Sequence, residues 1–185
     1  MLTHDEIEVK ILEIDECEIT KRILAVGGVH QRDIEIKTLD FEVDIINDEM
    51  KEIVRLCTIT NKDPSWDEVD YCLVTKYHID SEDFKYKNSV ETEITIYENQ
   101  FNIFKKLFMK TFKLLHETSK TRTTYAVSDF LFEINRIIGI PTFMEIEGPS
   151  FEEILRVAES IGIKEDELKP WSTRNLLDHY DKNRS

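Results

Sequence analysis

Apolar and polar residues alternate through much of this chain, and the alternation predicts a fold made mostly of strands. In "DEIEVKILEID" the residues Ile7, Val9 and Ile11 fall on one face of a strand, and Glu6, Glu8 and Lys10 on the other. Similar runs follow in "DIEIKTLDFEVDII" (33–46), "EIVRLCTIT" (52–60), "VDYCLVTKYHI" (69–79) and "SVETEITIY" (89–97), and then in "TRTTYAV", "FLFEINRI" and "TFMEIEG". Turn-rich "NKDPSWDE" (61–68) separates two of them. Helical spacing is rarer. Asp15 is placed to cap a helix carrying Ile19, Ile23 and Val26, which Gly27-Gly28 would end. A second helix is expected from about Asn99 to Leu115, with Phe101, Phe104, Phe108 and Phe112 as a stripe packed on a sheet. The Ser150-Phe-Glu-Glu153 capping box opens "FEEILRVAESIG", stopped by Gly162, and a short helix over 172–180 closes the chain.

The first strand leaves a choice open. Its charged face is either the solvated side of an ordinary sheet or the lining of a cavity that binds metal and anion. Composition narrows the setting. At 185 residues the chain suits one domain spanning 1–185, and its 41% apolar and 34% charged residues describe a soluble globular protein. No apolar run reaches membrane-spanning length and no signal peptide is seen. With 24 Lys and Arg against 38 Asp and Glu the net charge is −14, which argues against a nucleic-acid partner. Cys17, Cys57 and Cys72 form no CxxC pair and suggest free thiols in a reducing cytoplasm, with Cys17 and Cys72 read as core residues. Trp66 and Trp171 read as a loop anchor and a tail anchor.

Absent motifs exclude several chemistries. There is no P-loop and no GxGxxG, so backbone amides would not cradle a phosphate. The five histidines lack HxxxH or HExxH spacing, so zinc is not expected and each reads as a surface or core residue. No Ser or Cys sits in a nucleophile elbow. Charged residues inside strands remain. Glu6/Glu8, Glu91/Glu93 and Glu145/Glu147 are three Glu-x-Glu pairs, and Arg55, Lys76, Lys120 and Arg122 supply cations on strands or at their starts. "RDIEIK" (Asp33, Glu35, Lys37) mimics the first motif at a position read as surface. Gathered in a low-dielectric cavity, such carboxylates need hard cations to neutralise them, and a polyphosphate bridging metal and Lys/Arg would complete the balance.

In these residues the chain resembles the CYTH proteins, the triphosphate tunnel metalloenzymes, which include class IV adenylate cyclases and thiamine triphosphatases. "EIEVK" resembles the family's ExExK signature. "EIVRLCTI" is similar to its RxR strand at Arg55, "LVTK" to the strand bearing Lys76, and "VETE" to the mid-chain glutamates Glu91 and Glu93. "KTR" is similar to the Lys-x-Arg strand, Lys120 and Arg122, and "GIPTFMEIEG" to the late ExE strand, Glu145 and Glu147. "KPWSTRNLL" is similar to the closing segment of the cyclase-like branch, placing a helical tail from about residue 164. The motifs are modest singly and specific in order, and they cover nearly the whole chain.

The resemblance implies an α+β fold, mainly antiparallel: an eight-stranded closed β-barrel forming a tunnel, with helices packed outside. It implies magnesium or manganese on Glu6, Glu8, Glu145 and Glu147, with Asn135 at the position of a further family Asp. It implies that Lys10, Arg55, Lys76, Lys120 and Arg122 hold the triphosphate and carry the chemistry, with Glu91 and Glu93 orienting the cations or binding a second metal. Three positions depart from the family pattern: Cys57 and Ser89 stand where arginines are usual, and Asn135 where Asp is, with Glu133 two residues away on the same face. Each lost cation removes about 1.5–3 kcal/mol of charge-assisted contact. Three functions follow. They are a metal-dependent hydrolase of inorganic or organic triphosphate, a class IV-type adenylate cyclase, and a non-catalytic binder of triphosphate or nucleotide.

Overall fold

The computed structural model describes residues 2–43, 52–63, 68–79 and 85–182. In chain order the elements are β1 (Leu2–Ile11), α1 (Glu16–Ala25), β2 (Val29–Val43), β3 (Glu52–Asn61), β4 (Val69–Ile79) and β5 (Lys87–Ile96). Then come α2 (Glu98–Thr111), β6 (Lys113–Val127), β7 (Phe130–Ile137), β8 (Phe143–Gly148), α3 (Phe151–Ser160), a 3₁₀ turn (Glu165–Glu167) and α4 (Thr173–Lys182). The strands hydrogen-bond in the order β1-β5-β4-β3-β2-β6-β7-β8, and β8 pairs antiparallel with β1, so the sheet is a closed barrel without an edge. The alternation read from the sequence is the cause: one face of each strand carries apolar residues for the helices, the other carries charge.

Backbone contacts divide the chain into two compact units. The first comprises Met1–Asp5, Ile34–Asp80 and Ser89–Lys120; the second comprises Glu6–Asp33, Ser81–Asn88 and Thr121–Ser185. In the first, Leu39, Phe41 and Leu56 are buried under the phenylalanine stripe of α2. Phe108 meets Phe41 edge-on at 5.6 Å and stacks on Phe104 at 5.7 Å. In the second, Val9 and Ile11 of β1, Phe132 and Ile134 of β7, and Met144 and Ile146 of β8 pack with Ile19 and Ile23 of α1 and with Phe151, Ile154 and Ala158 of α3.

The caps act where the sequence places them. Asp15 Oδ1 accepts the Glu18 N–H at 3.0 Å, and Ser150 Oγ accepts the Glu153 N–H at 3.3 Å. After α1, Gly27 takes φ +90°, and a Cβ on Gly28 would lie 2.7 Å from the Ile23 carbonyl oxygen, so the turn requires both glycines. The second expected helix runs too long. The Phe112 N–H still bonds to Phe108, but its own backbone is extended, so α2 stops at Thr111 and residues 113–120 lengthen β6 rather than the helix. The phenylalanine spacing persists one residue beyond the helix and conceals its end. β2 begins at Val29, four residues before the expected run; residues 44–46 of that run lie outside the described residues, as does Trp66. The Trp171 ring lies 4.9 Å from that of His179, so its aromatic contact is within the tail.

Candidate functional site

The charged faces of the strands form one cluster in each unit. In the second unit the cluster crosses five strands. Lys10 of β1 stands directly opposite Glu145 of β8, which stands directly opposite Glu133 of β7. Glu8 is likewise opposite Glu147. Apolar neighbours at Val9, Ile134, Met144 and Ile146, each 0% exposed, fix this register, because a slip of one residue would put every carboxylate into the helix-covered core. Lys10 is 1% exposed, and its Nζ donates to Glu145 Oε1 at 2.8 Å and Glu8 Oε1 at 3.0 Å. Its backbone exchanges hydrogen bonds of 2.9 and 2.8 Å with Lys169, so the tail segment after the 3₁₀ turn pins this end of β1. Lys87, from the start of β5, reaches Glu8 and lies 3.7 Å from Glu6. Arg122 of β6 donates from Nη1 to Glu133, from Nη2 to Glu145 at 2.5 Å and from Nε to the Asn135 side-chain oxygen at 2.8 Å.

Burial alone would lower the Lys10 pKa, but the charges and hydrogen bonds of Glu145 and Glu8 outweigh it and hold the ammonium above its ordinary value. Arg122 follows the same balance: burial lowers, while Glu133, then Glu145, Glu8 and Glu6 raise. Both stay cationic. Five carboxylates (Glu6, Glu8, Glu133, Glu145, Glu147) gather with Lys10, Lys87 and Arg122. That donor set is one of hard carboxylate oxygens, the chemistry that suits a divalent magnesium or manganese ion. As the side chains stand they fold onto the cations, and among the described residues no three acidic, thiol or imidazole groups enclose a common point. Thr124, two residues beyond Arg122 on β6, buries a hydroxyl that meets no hydrogen-bond partner among the described residues.

The first unit holds the other expected residues. Arg55 of β3 stands opposite Asp40 of β2 and grips it through Nε–Oδ1 at 2.7 Å and Nη2–Oδ2 at 2.8 Å, while His116 of β6 lies 2.9 Å from the same Oδ2. Lys76 is paired with Glu91. Ser89 is fully buried. Lys120 is half-buried, two residues before Arg122 on the same strand. Cys57 shares the face of Arg55, and its cross-strand partner is Cys72, whose thiol lies 3.6 Å from Glu93 Oε1.

Three further residues enter these clusters, Asp40, Lys87 and His116, and Glu133 enters beside Asn135 on the face where the sequence put it. Asp40 and Glu133 carried a legible signal, each being a lone acid between two buried apolar residues. His116 pairs with the buried Asp40 carboxylate. Cys17 is corrected: it is exposed on α1, because the helix buries only Ile19 and Ile23, whereas Cys72 is a buried core thiol as expected, beside Cys57. Asn135 does not stand as an isolated oxygen donor: its oxygen accepts from Arg122 and its amide donates to the Glu133 carbonyl at 2.9 Å. Glu35 and Lys37 are paired with each other on the outer side, as expected.

Burial acts to raise the Asp40 pKa, yet the Arg55 guanidinium and then His116 hold the carboxyl far below the usual range. A depressed acid contributes stability fully above its unfolded value, about 4, and loses it as pH falls from there through the folded value. Asp40→Asn is therefore expected to cost about 3 kcal/mol at neutral pH. Urea unfolding of the two proteins would show the gap narrowing below about pH 4; a pH-independent difference would contradict this origin.

A scan against protein-family models gives no match, and neither does a comparison with curated protein sequences. Solved structures do match. The PH1012 protein of Pyrococcus horikoshii superposes with a TM-score of 0.73 at 23% identity, over 92% of this chain and 98% of its own. A Vibrio parahaemolyticus protein described as a candidate adenylate cyclase gives 0.66 at 11% identity, over 94% and 97%. The candidate adenylyl cyclase HpAC1 of Hippeastrum, described as having a dominant triphosphatase activity, gives 0.56 at 15% identity, over 85% and 88%. At these identities the likeness is one of fold.

Proposed function

We propose that this chain, whose barrel is that of the CYTH-type tunnel proteins, binds a small triphosphate-bearing molecule with a divalent cation and hydrolyses it. The observation that carries the reading is the row of buried Lys10, Glu145 and Glu133 with half-buried Arg122, flanked by Glu6, Glu8 and Glu147. Burying so many ionised groups is costly and has no evident structural return, since an apolar row would hold the same strands more cheaply. A ligand that needs both signs of charge gives the row a purpose.

Magnesium or manganese would be held by Glu6, Glu8, Glu133, Glu145 and Glu147, and when bound it supplies Lewis-acid neutralisation of charge on the phosphoryl oxygens. Lys10, locked between Glu8 and Glu145, positions those two acids. Arg122 and Lys87 are donors for phosphate oxygens, with the forked guanidinium suited to two at once. The buried Thr124 hydroxyl is a further donor in want of an acceptor. The family resemblance assigns Arg55, Lys76 and Lys120 to phosphate as well. Hydrolysis rather than cyclisation is favoured by economy: water needs no base-recognition pocket, and the triphosphatase activity described for HpAC1 shows the reaction class on this fold.

The test is a screen of tripolyphosphate, ATP and thiamine triphosphate with magnesium and with manganese. Orthophosphate release that stops on chelation supports the reading. Cyclic AMP formation without orthophosphate release would replace it with the cyclase.

A further inference from the structure

One pair of reactive side chains is left over by the proposed chemistry. Cys57 and Cys72 are direct cross-strand partners on antiparallel β3 and β4, 5% and 2% exposed, and both are free thiols. Partners in such a ladder hold their Cα atoms about 4.5 or 5.5 Å apart, according to the pair type. Either spacing falls inside the window of about 4.4–6.8 Å that a disulfide spans. Cys57 Sγ donates across the ladder to the Cys72 carbonyl at 3.7 Å, while Cys72 Sγ donates to Glu93 Oε1 at 3.6 Å on β5, the other neighbour of β4. Val74 and Ile59 complete a small apolar patch around them.

We propose that Cys57 and Cys72 form an oxidisable dithiol, a covalent modification site that a small peroxide closes to a disulfide across β3 and β4. The sulfur of Cys57 attacks hydrogen peroxide and the O–O bond breaks. One oxygen stays as the sulfenic acid, and the other leaves as water with the thiol proton. Cys72 then passes its proton to the adjacent Glu93 carboxylate, and its sulfur displaces the sulfenic hydroxyl. That hydroxide leaves as a second water with the proton from Glu93. In sum two thiols are oxidised to one disulfide and one peroxide is reduced to two waters. The hydrogen bond to Cys57, then burial and Glu93, hold the Cys72 pKa above the ordinary thiol range.

The experiment uses the full chain with exposed Cys17→Ser, so that the only thiols are the pair. The folded protein is treated with hydrogen peroxide, quenched, denatured, alkylated and mapped by mass spectrometry. Both thiols should disappear together, with a cross-linked peptide joining β3 to β4 that dithiothreitol cleaves, and the thermal midpoint should rise and return on reduction. Should the Cys17 variant fail to fold, the wild-type chain with Cys17 blocked by brief alkylation serves equally. Two results would overturn the proposal. One is loss of a single thiol to sulfinic or sulfonic acid while the other stays alkylatable. The other is survival of both thiols under peroxide that fully oxidises the denatured chain.

Discussion

Replacing Arg122 with methionine is expected to destabilise the protein by about 3–5 kcal/mol, read as a fall in the urea midpoint at constant slope. The methionine fills a similar volume, so the loss is electrostatic. It removes the guanidinium that contacts Glu133, Glu145 and Asn135 together. Arg122→Lys should recover only part of the loss, because a single ammonium cannot reproduce three diverging donors. Millimolar magnesium or manganese should narrow the gap between Arg122→Met and wild type, since added positive charge replaces part of what the guanidinium supplied. Unchanged stability in Arg122→Met would mean that this row is far better solvated than its burial implies.

The double change Glu6→Gln and Glu8→Gln is expected to abolish stabilisation by divalent cations and to lower triphosphate hydrolysis on the order of a hundredfold or more. Two amides in place of two acids remove two of the ionised oxygens that would hold the metal, and uncharged amides bind hard cations poorly. Side-chain amides retain the shape and a carbonyl oxygen, so the strand register fixed by Ile7, Val9 and Ile11 should survive. Glu35→Gln is the matched control, because Glu35 sits in the same alternating pattern but is paired with Lys37 away from the cluster. Equal metal-dependent shifts in the thermal midpoint of wild type and double mutant would make the first strand purely structural.

Much of this was legible in the sequence, and the residues say why. Alternation through Ile7, Val9 and Ile11 or Phe132 and Ile134 fixes both the strand and which side chains share a face, so Glu6, Glu8, Lys10, Glu145 and Arg122 could be assembled without coordinates. Alternation fails where an element changes type without a change of pattern. Phe112 keeps helical spacing although its backbone is already extended, and the true end of α2 was concealed there. It also fails to name partners. Lys87 is flanked by Tyr86 and Asn88, with no apolar neighbours to mark it, and its approach to Glu8 depends on barrel closure. Asp40 and His116 meet only because β2 and β6 are neighbours in the ring, a pairing of distant segments that local pattern does not encode.

The central claim is that the acid-rich cluster and its cations are built to take a divalent ion and a triphosphate together. If so, the two ligands must help each other bind, and by the same factor in either order. The most direct test is calorimetric titration of tripolyphosphate into the wild-type chain at fixed ionic strength, with and without manganese, at a temperature low enough to suppress turnover. Tripolyphosphate should bind at least tenfold tighter when manganese is present, a coupling of about 1.4 kcal/mol. Equal affinity with and without the metal, or no binding in either case, would contradict the account.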